Sequence, residues 1–109
     1  MCERGDLLLV PYPFTDLSAS KRRPVLALTR ADNFRDFIAL PVTSRPQAGH
    51  GLPLADADML TGALPVPSWI RTNRIMTLNA SLVVKCVGGV SDKTLATAVE
   101  RFCAYLEQP

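Results

Sequence analysis

Cysteine, histidine and long apolar runs are all scarce in this chain of 109 residues, which carries three cysteines, one histidine and nothing near the ~20 consecutive apolar residues of a membrane span. Cys2, Cys86 and Cys103 are odd in number and far apart, so a disulfide framework, a zinc ribbon and a CxxC redox motif have no support. Cys86 and Cys103 sit in apolar contexts and read as small core residues. A cysteine nucleophile needs a histidine beside it, and nothing in the sequence brings His50 to any of the three. Asp56 and Asp58 are the nearest acidic pair and lack histidine partners, so no metal site and no cofactor is expected. The opening Cys2-Glu3-Arg4-Gly5-Asp6 is no basic segment feeding an apolar run, so the expected location is the cytoplasm, without membrane contact.

What is present is enough apolar material for one core. Hydrophobic residues make up 48% of the sequence, and the length predicts a single domain over residues 1–109 that needs no metal or disulfide staple. The net charge of +2 is unevenly spread. Residues 21–45 hold six basic side chains against two acidic ones, and residues 68–90 hold three basic and no acidic ones. Between them, residues 46–67 contain only Asp56 and Asp58 as charges. Two basic segments folded together would make a patch for a phosphate backbone; on counts alone, a solvated surface with ordinary charge scatter is the favoured reading.

Short apolar runs broken by Pro, Gly, Asn and Asp dominate to about residue 90, a pattern that predicts a small β-barrel or sandwich. Asp6 to Val10 reads as a first strand ended by Pro11-Tyr12-Pro13, and Thr15 to Arg22 as a loop. Pro24 to Thr29 and Phe37 to Thr43 read as strands around an Ala31-Asp32-Asn33 turn, with Pro41 marking an edge or bulge. Arg45 to Gly51 is a loop, Leu52 to Leu54 a short strand, and Ala55 to Gly62 a connection. Further strands are predicted over Leu64 to Ile70, Ile75 to Leu78 and Leu82 to Val87, the last ended by Gly88-Gly89. The period then changes. Ser91 can cap a helix beginning at Asp92, and Leu95, Val99, Phe102 and Leu106 form one apolar stripe that Ala98 and Tyr105 widen.

The most informative stretch is Gly5-Asp6, an apolar strand, then Pro11-Tyr12-Pro13-Phe14-Thr15-Asp16, and Lys21-Arg22-Arg23-Pro24 before a second apolar strand. With Pro41-Val42-Thr43-Ser44, Ser68-Trp69-Ile70-Arg71-Thr72-Asn73 and the Gly-Val-Ser-Asp entry to the last helix, it resembles the MazF/PemK family of toxin ribonucleases. The likeness runs in order through nearly the whole chain, and the Arg-Pro junction is its most specific part. It implies a mainly β fold, a small SH3-like β-barrel with a C-terminal α-helix, forming a homodimer. The implied activity is that of the toxin of a type II toxin–antitoxin pair, a metal-independent endoribonuclease that cleaves single-stranded RNA. The 2′-hydroxyl attacks the neighbouring phosphorus, leaving a cyclic phosphate, and a cognate antitoxin inhibits the enzyme.

That chemistry needs cations and donors around a crowded phosphate, a base and a proton source. The resemblance assigns Arg23 to the phosphate oxygens, Thr43 to binding or orienting the scissile phosphate, and Arg71 to a position near it. By themselves these are a surface arginine before a strand, a β-branched strand residue and another surface cation. In the PemK branch an aspartate two positions after the arginine is the proposed base, and here that position is Asn73, whose amide takes up no proton. Asp16 in the first loop and His50 in a Gly-flanked loop are the candidate bases, each also readable as an ordinary loop residue. Lys21, Arg22 and Arg74 read as RNA-backbone contacts, with Ser44 and Asn73 as further RNA-binding positions. Tyr12, Phe14 and Trp69 are available for base stacking or for packing.

Two alternatives belong to other classes. Gyrase-directed poisons of this fold carry a Trp-Gly-Ile type C-terminus, whereas this sequence ends Leu106-Glu107-Gln108-Pro109. A catalytically weak or silent SH3-like module that binds RNA or protein is the other, and Asn73 favours it.

Overall fold

The computed structural model describes residues 3–12 and 21–109. Eight strands among these residues form one curled antiparallel sheet, an open half-barrel, followed by a helix. They are β1 (Asp6–Tyr12), β2 (Lys21–Ala27), β3 (Asp36–Thr43), β4 (Gly51–Leu54), β5 (Met59–Gly62), β6 (Ser68–Arg71), β7 (Met76–Asn79) and β8 (Lys85–Val90), with α1 spanning Asp92–Leu106. The sheet order is β4-β6-β3-β2-β1-β8-β5, and β7 also pairs with β3. Among the described residues no helix is long and apolar enough to cross a membrane.

The central strands are apolar at successive positions because both sheet faces are covered. Along β1, Leu7 enters one core cluster while Leu8 and Val10 enter the other. Val25 and Ala27 alternate with Leu26 in β2, and Phe37 and Ala39 with Leu40 and Val42 in β3, in the same way. One cluster is closed by β6 and by Leu95 and Ala98 of α1; the other by Leu78 and the segment around Leu82 and Val83.

The helix begins where its capping chemistry predicts. Ser91 Oγ accepts from Thr94 N at 3.2 Å, and Asp92 occupies the first turn. Thr94 Oγ1 donates to Asp58 Oδ1 at 3.0 Å, which ties the helix start to the 3-10 turn Asp56–Asp58. The stripe is buried at Leu95 and half-buried at Val99 and Phe102, but Leu106 is 64% exposed because the last turn outruns the core.

Several boundaries differ from the sequence reading. β1 continues through Pro11 and Tyr12, which pair with Arg22 and Lys21, so Lys21 and Arg22 belong to a strand and not to a loop. Leu9 O accepts from Val84 N, so Pro11, two residues on, turns its missing N–H to that same side, beyond the last β8 partner of β1. Pro41 does not mark an edge: β3 is flanked on both sides, and Pro41 sits where its partner changes from β7 to β6. Residues 59–62, read as a connection, form the edge strand β5. Of the expected strand over 64–70 only residues 68–70 pair, after Pro65 and Pro67 withhold two donors, and the strand runs on to Arg71. The last strand starts at Lys85, after a 3-10 turn at Ala80–Leu82 capped by Asn79, and runs through Gly88-Gly89. Glycine is needed here by close approach: at Gly62 (φ 70°), a Cβ would lie 2.3 Å from Val87 O.

Cys86 and Cys103 are exposed, not core residues. Cys103 falls one position off the buried helix stripe, and Cys86, paired with Leu8, lies in the exposed first part of β8. Cys2 lies outside the described residues.

Candidate functional site

A cleft of about 620 Å³ opens where the end of β3, the start of β2 and the turn after β6 converge. Lys21, Arg23, Arg45, Arg71 and Arg74 all line it. Its described lining holds five cationic side chains and no carboxylate, so those groups favour an anionic ligand.

Register explains the convergence. Lys21 and Arg23 share one face of β2 because side chains alternate, and Arg22, between them, is on the other face and outside the cleft lining. Because β2 and β3 run antiparallel, the Val25–Pro41 pair brings Arg23, two residues before Val25, and Thr43, two residues after Pro41, to the same corner. Thr43 pairs with Trp69 on β6, and Arg71 follows two residues later. Arg74 N donates to Arg71 O at 3.3 Å, so the chain turns at once and returns its second cation to the cleft.

Thr43 Oγ1 accepts from Arg45 N at 3.1 Å. That bond aims the hydroxyl group and leaves its own proton to donate. Gln47 Nε2 donates to Arg45 O at 3.1 Å, so the loop carries its own brace. Arg71 differs from its neighbours: its Nε is buried and has no hydrogen-bond partner among the described residues. A buried donor left unmade costs about 1–3 kcal/mol.

Of the residues singled out from sequence, the cleft gathers Arg23, Thr43, Arg71, Lys21 and Arg74. Ser44, Asn73 and Arg22 do not line it. His50 does not line it either: its ring packs edge-on against Tyr105 of α1, centroids 5.0 Å apart at 76°. Asp16 and Phe14 lie outside the described residues. Trp69 is half-buried in β6, paired with Thr43 and Pro53. Sequence reasoning missed Arg45 and Gln47, which the loop brings to the lining. Arg45 was visible as one of the basic residues of the 21–45 segment; Gln47 carries no such signal.

Comparison with known proteins follows the same direction. A family model described as PemK-like, MazF-like toxin of type II toxin-antitoxin system matches residues 3–106. No curated protein sequence matches the chain. Among solved structures, MazE-MazF from Deinococcus radiodurans aligns at 20% identity and a TM-score of 0.77, covering 98% of this chain and 97% of that one. An endoribonuclease in complex with its cognate antitoxin from a mycobacterial species aligns at 18% identity and 0.72, covering 98% and 94%. The Mycobacterium tuberculosis toxin MazF-mt6 aligns at 18% and 0.72, covering 95% and 98%. At these identities the structural likeness establishes the shared fold.

Proposed function

The chain belongs to the PemK-like, MazF-like toxins of type II toxin–antitoxin systems, and from that premise we propose that its basic cleft binds single-stranded RNA and cleaves it. The observation that carries the reading is the convergence of five cationic side chains and the Thr43 hydroxyl on one cleft. Phosphate oxygens are the acceptors that such a set of donors fits.

In the proposed reaction, the 2′-hydroxyl oxygen forms a bond to the adjacent phosphorus as the bond from phosphorus to the 5′-oxygen breaks. The 2′-proton passes to a base, and the departing 5′-oxygen takes up a proton. The products are a cyclic phosphate end and a 5′-hydroxyl end. Arg23 and Arg71 hold the non-bridging oxygens as negative charge accumulates, and Thr43 donates to one of them. Lys21, Arg74 and Arg45 track the flanking backbone. His50 is directed at Tyr105, so Asp16 is the remaining candidate base of the two. The clustered guanidinium groups supply the charge stabilisation a metal would otherwise give, and the reaction is proposed to need no divalent ion. The remaining parts of the reading are a cytoplasmic homodimer and inhibition by a cognate antitoxin whose acidic segment covers the cleft.

The test is cleavage of single-stranded RNA by purified protein in EDTA, with the new ends mapped by sequencing. Arg23→Ala should stay folded and lose about 100-fold or more in rate, the usual cost of one transition-state donor. RNA binding without cleavage would favour the silent RNA-binding module, the reading to which Asn73 lends weight. Full cleavage by the folded Arg23→Ala protein would remove Arg23 from the mechanism.

A further inference from the structure

Thr72 is the most deeply buried polar side chain among the described residues, 1% exposed. Both of its donors go to a single acceptor. Its N–H, at 3.1 Å, and its hydroxyl, at 2.6 Å, reach the carbonyl oxygen of His50. Two donors fill the two lone pairs of that carbonyl.

The position of this clamp gives it a consequence beyond satisfying a buried hydroxyl. His50 is the last residue of the loop 44–50 before β4, and Thr72 is the first residue after β6. Gly51 pairs with Arg71, so the Thr72 bonds continue the β4–β6 ladder one step past its end, next in sequence to Arg71 of the cleft lining. The loop side supplies Arg45 and Gln47 to the lining, and the turn side supplies Arg71 and Arg74. The imidazole of His50 packs on Tyr105 of α1, so the carbonyl is the group of His50 that ties the loop to the 71–74 turn. A valine in place of Thr72 would fit the same buried volume and suit the strand end, and would leave the His50 carbonyl with the N–H bond alone.

We propose that Thr72 is a positioning residue: its hydroxyl holds the loop 44–50 against the 71–74 turn and sets the spacing between the two groups of cations across the cleft. The mechanical half stands on the hydrogen bonds; the functional half rests on the RNA-cleavage reading. Thr72 touches no substrate and acts through Arg45, Gln47, Arg71 and Arg74.

The experiment compares wild type with Thr72→Val and Thr72→Ser at 25 °C, with Thr72→Ala in reserve should the valine variant fail to accumulate folded. Hydrogen exchange is followed on peptides covering residues 44–50 and, as the global control, residues 21–28. Cleavage of an RNA oligonucleotide supplies kcat and KM separately. In the valine variant, exchange in the loop should quicken at least about tenfold while residues 21–28 stay unchanged. Its kcat should fall about 10- to 100-fold with KM within about threefold, because misplacement of donors is felt most in the transition state. Thr72→Ser should restore both. Equal acceleration in both peptides would make Thr72 a general stability residue and overturn the proposal, as would unchanged loop exchange. Faster loop exchange with wild-type kcat would overturn the functional half. Should wild type not cleave RNA, the cleavage reading falls by that result, and loop exchange alone decides the clamp.

Discussion

Replacing Arg71 with methionine should separate activity from stability in opposite directions. The Arg71 Nε is buried without a hydrogen-bond partner among the described residues. Such a group costs about 1–3 kcal/mol relative to a satisfied one. Arg71 also shares its cleft with four other cations, whose mutual repulsion is screened to a few tenths of a kcal/mol at physiological salt, about 8 Å Debye length. Methionine keeps most of the apolar stem and removes both terms. The variant should therefore be more stable by about 1 kcal/mol, which for a domain of this size raises Tm by about 4–8 °C. Cleavage should move the other way. If the guanidinium holds phosphate oxygens as charge develops, its loss costs about 2.7–4 kcal/mol of transition-state stabilisation, a fall of about 100- to 1000-fold.

Calorimetric melting and single-turnover cleavage of one RNA oligonucleotide read the two quantities on the same preparation. A methionine variant destabilised by more than about 1 kcal/mol would show that Arg71 is satisfied within the fold and that the unpartnered Nε carries no weight. Cleavage within tenfold of wild type would refute the assignment of Arg71 to the phosphate.

Ser91→Ala removes the cap on α1, so the protein should lose about 1 kcal/mol and melt about 4–8 °C lower, with cleavage at 25 °C unchanged. Gly62→Ala combines a left-handed backbone with a Cβ placed 2.3 Å from Val87 O; urea unfolding should show a loss of about 2 kcal/mol or more. His50→Ala should leave kcat within about threefold, because its ring faces Tyr105, whereas Asp16→Asn should lower kcat about 100-fold or more. The reverse pattern would make the imidazole the base.

The fold was legible where one local signal had no competitor. Ser91 and Asp92 announced the helix start, since a hydroxyl followed by an apolar stripe at helical spacing has few other uses. The consecutive apolar residues Leu7-Leu8-Leu9-Val10 announced a strand, and the structure adds the reason they are consecutive, a core on each face. Proline and glycine misled because their usual meaning as breakers depends on which side of the strand is occupied. Pro11 withholds its donor on an unpaired side, Pro41 lies at a change of partner, and Gly88 makes room for β5. None of these facts is local, so no window of sequence contains them.

The cleft shows the same division at the level of chemistry. Arg23, Thr43 and Arg71 came from a pattern of motifs, and strand register brings their side chains to one cavity although 20 and 28 residues separate the successive pairs. Parity along β2 does what charge counting could not: it puts Lys21 and Arg23 into the cleft and turns Arg22 away, though the three are chemically alike and adjacent. Arg45 and Gln47 enter because a carbonyl at His50 is clamped from a strand end 22 residues later, a tie that depends on backbone atoms every residue possesses. Net charge near zero was therefore no argument against an anionic partner. What decides the electrostatics of the cleft is that register sorts its cations to one side, while Asp32, Asp36 and Asp58 spend their carboxylates on backbone and side-chain donors elsewhere in the fold.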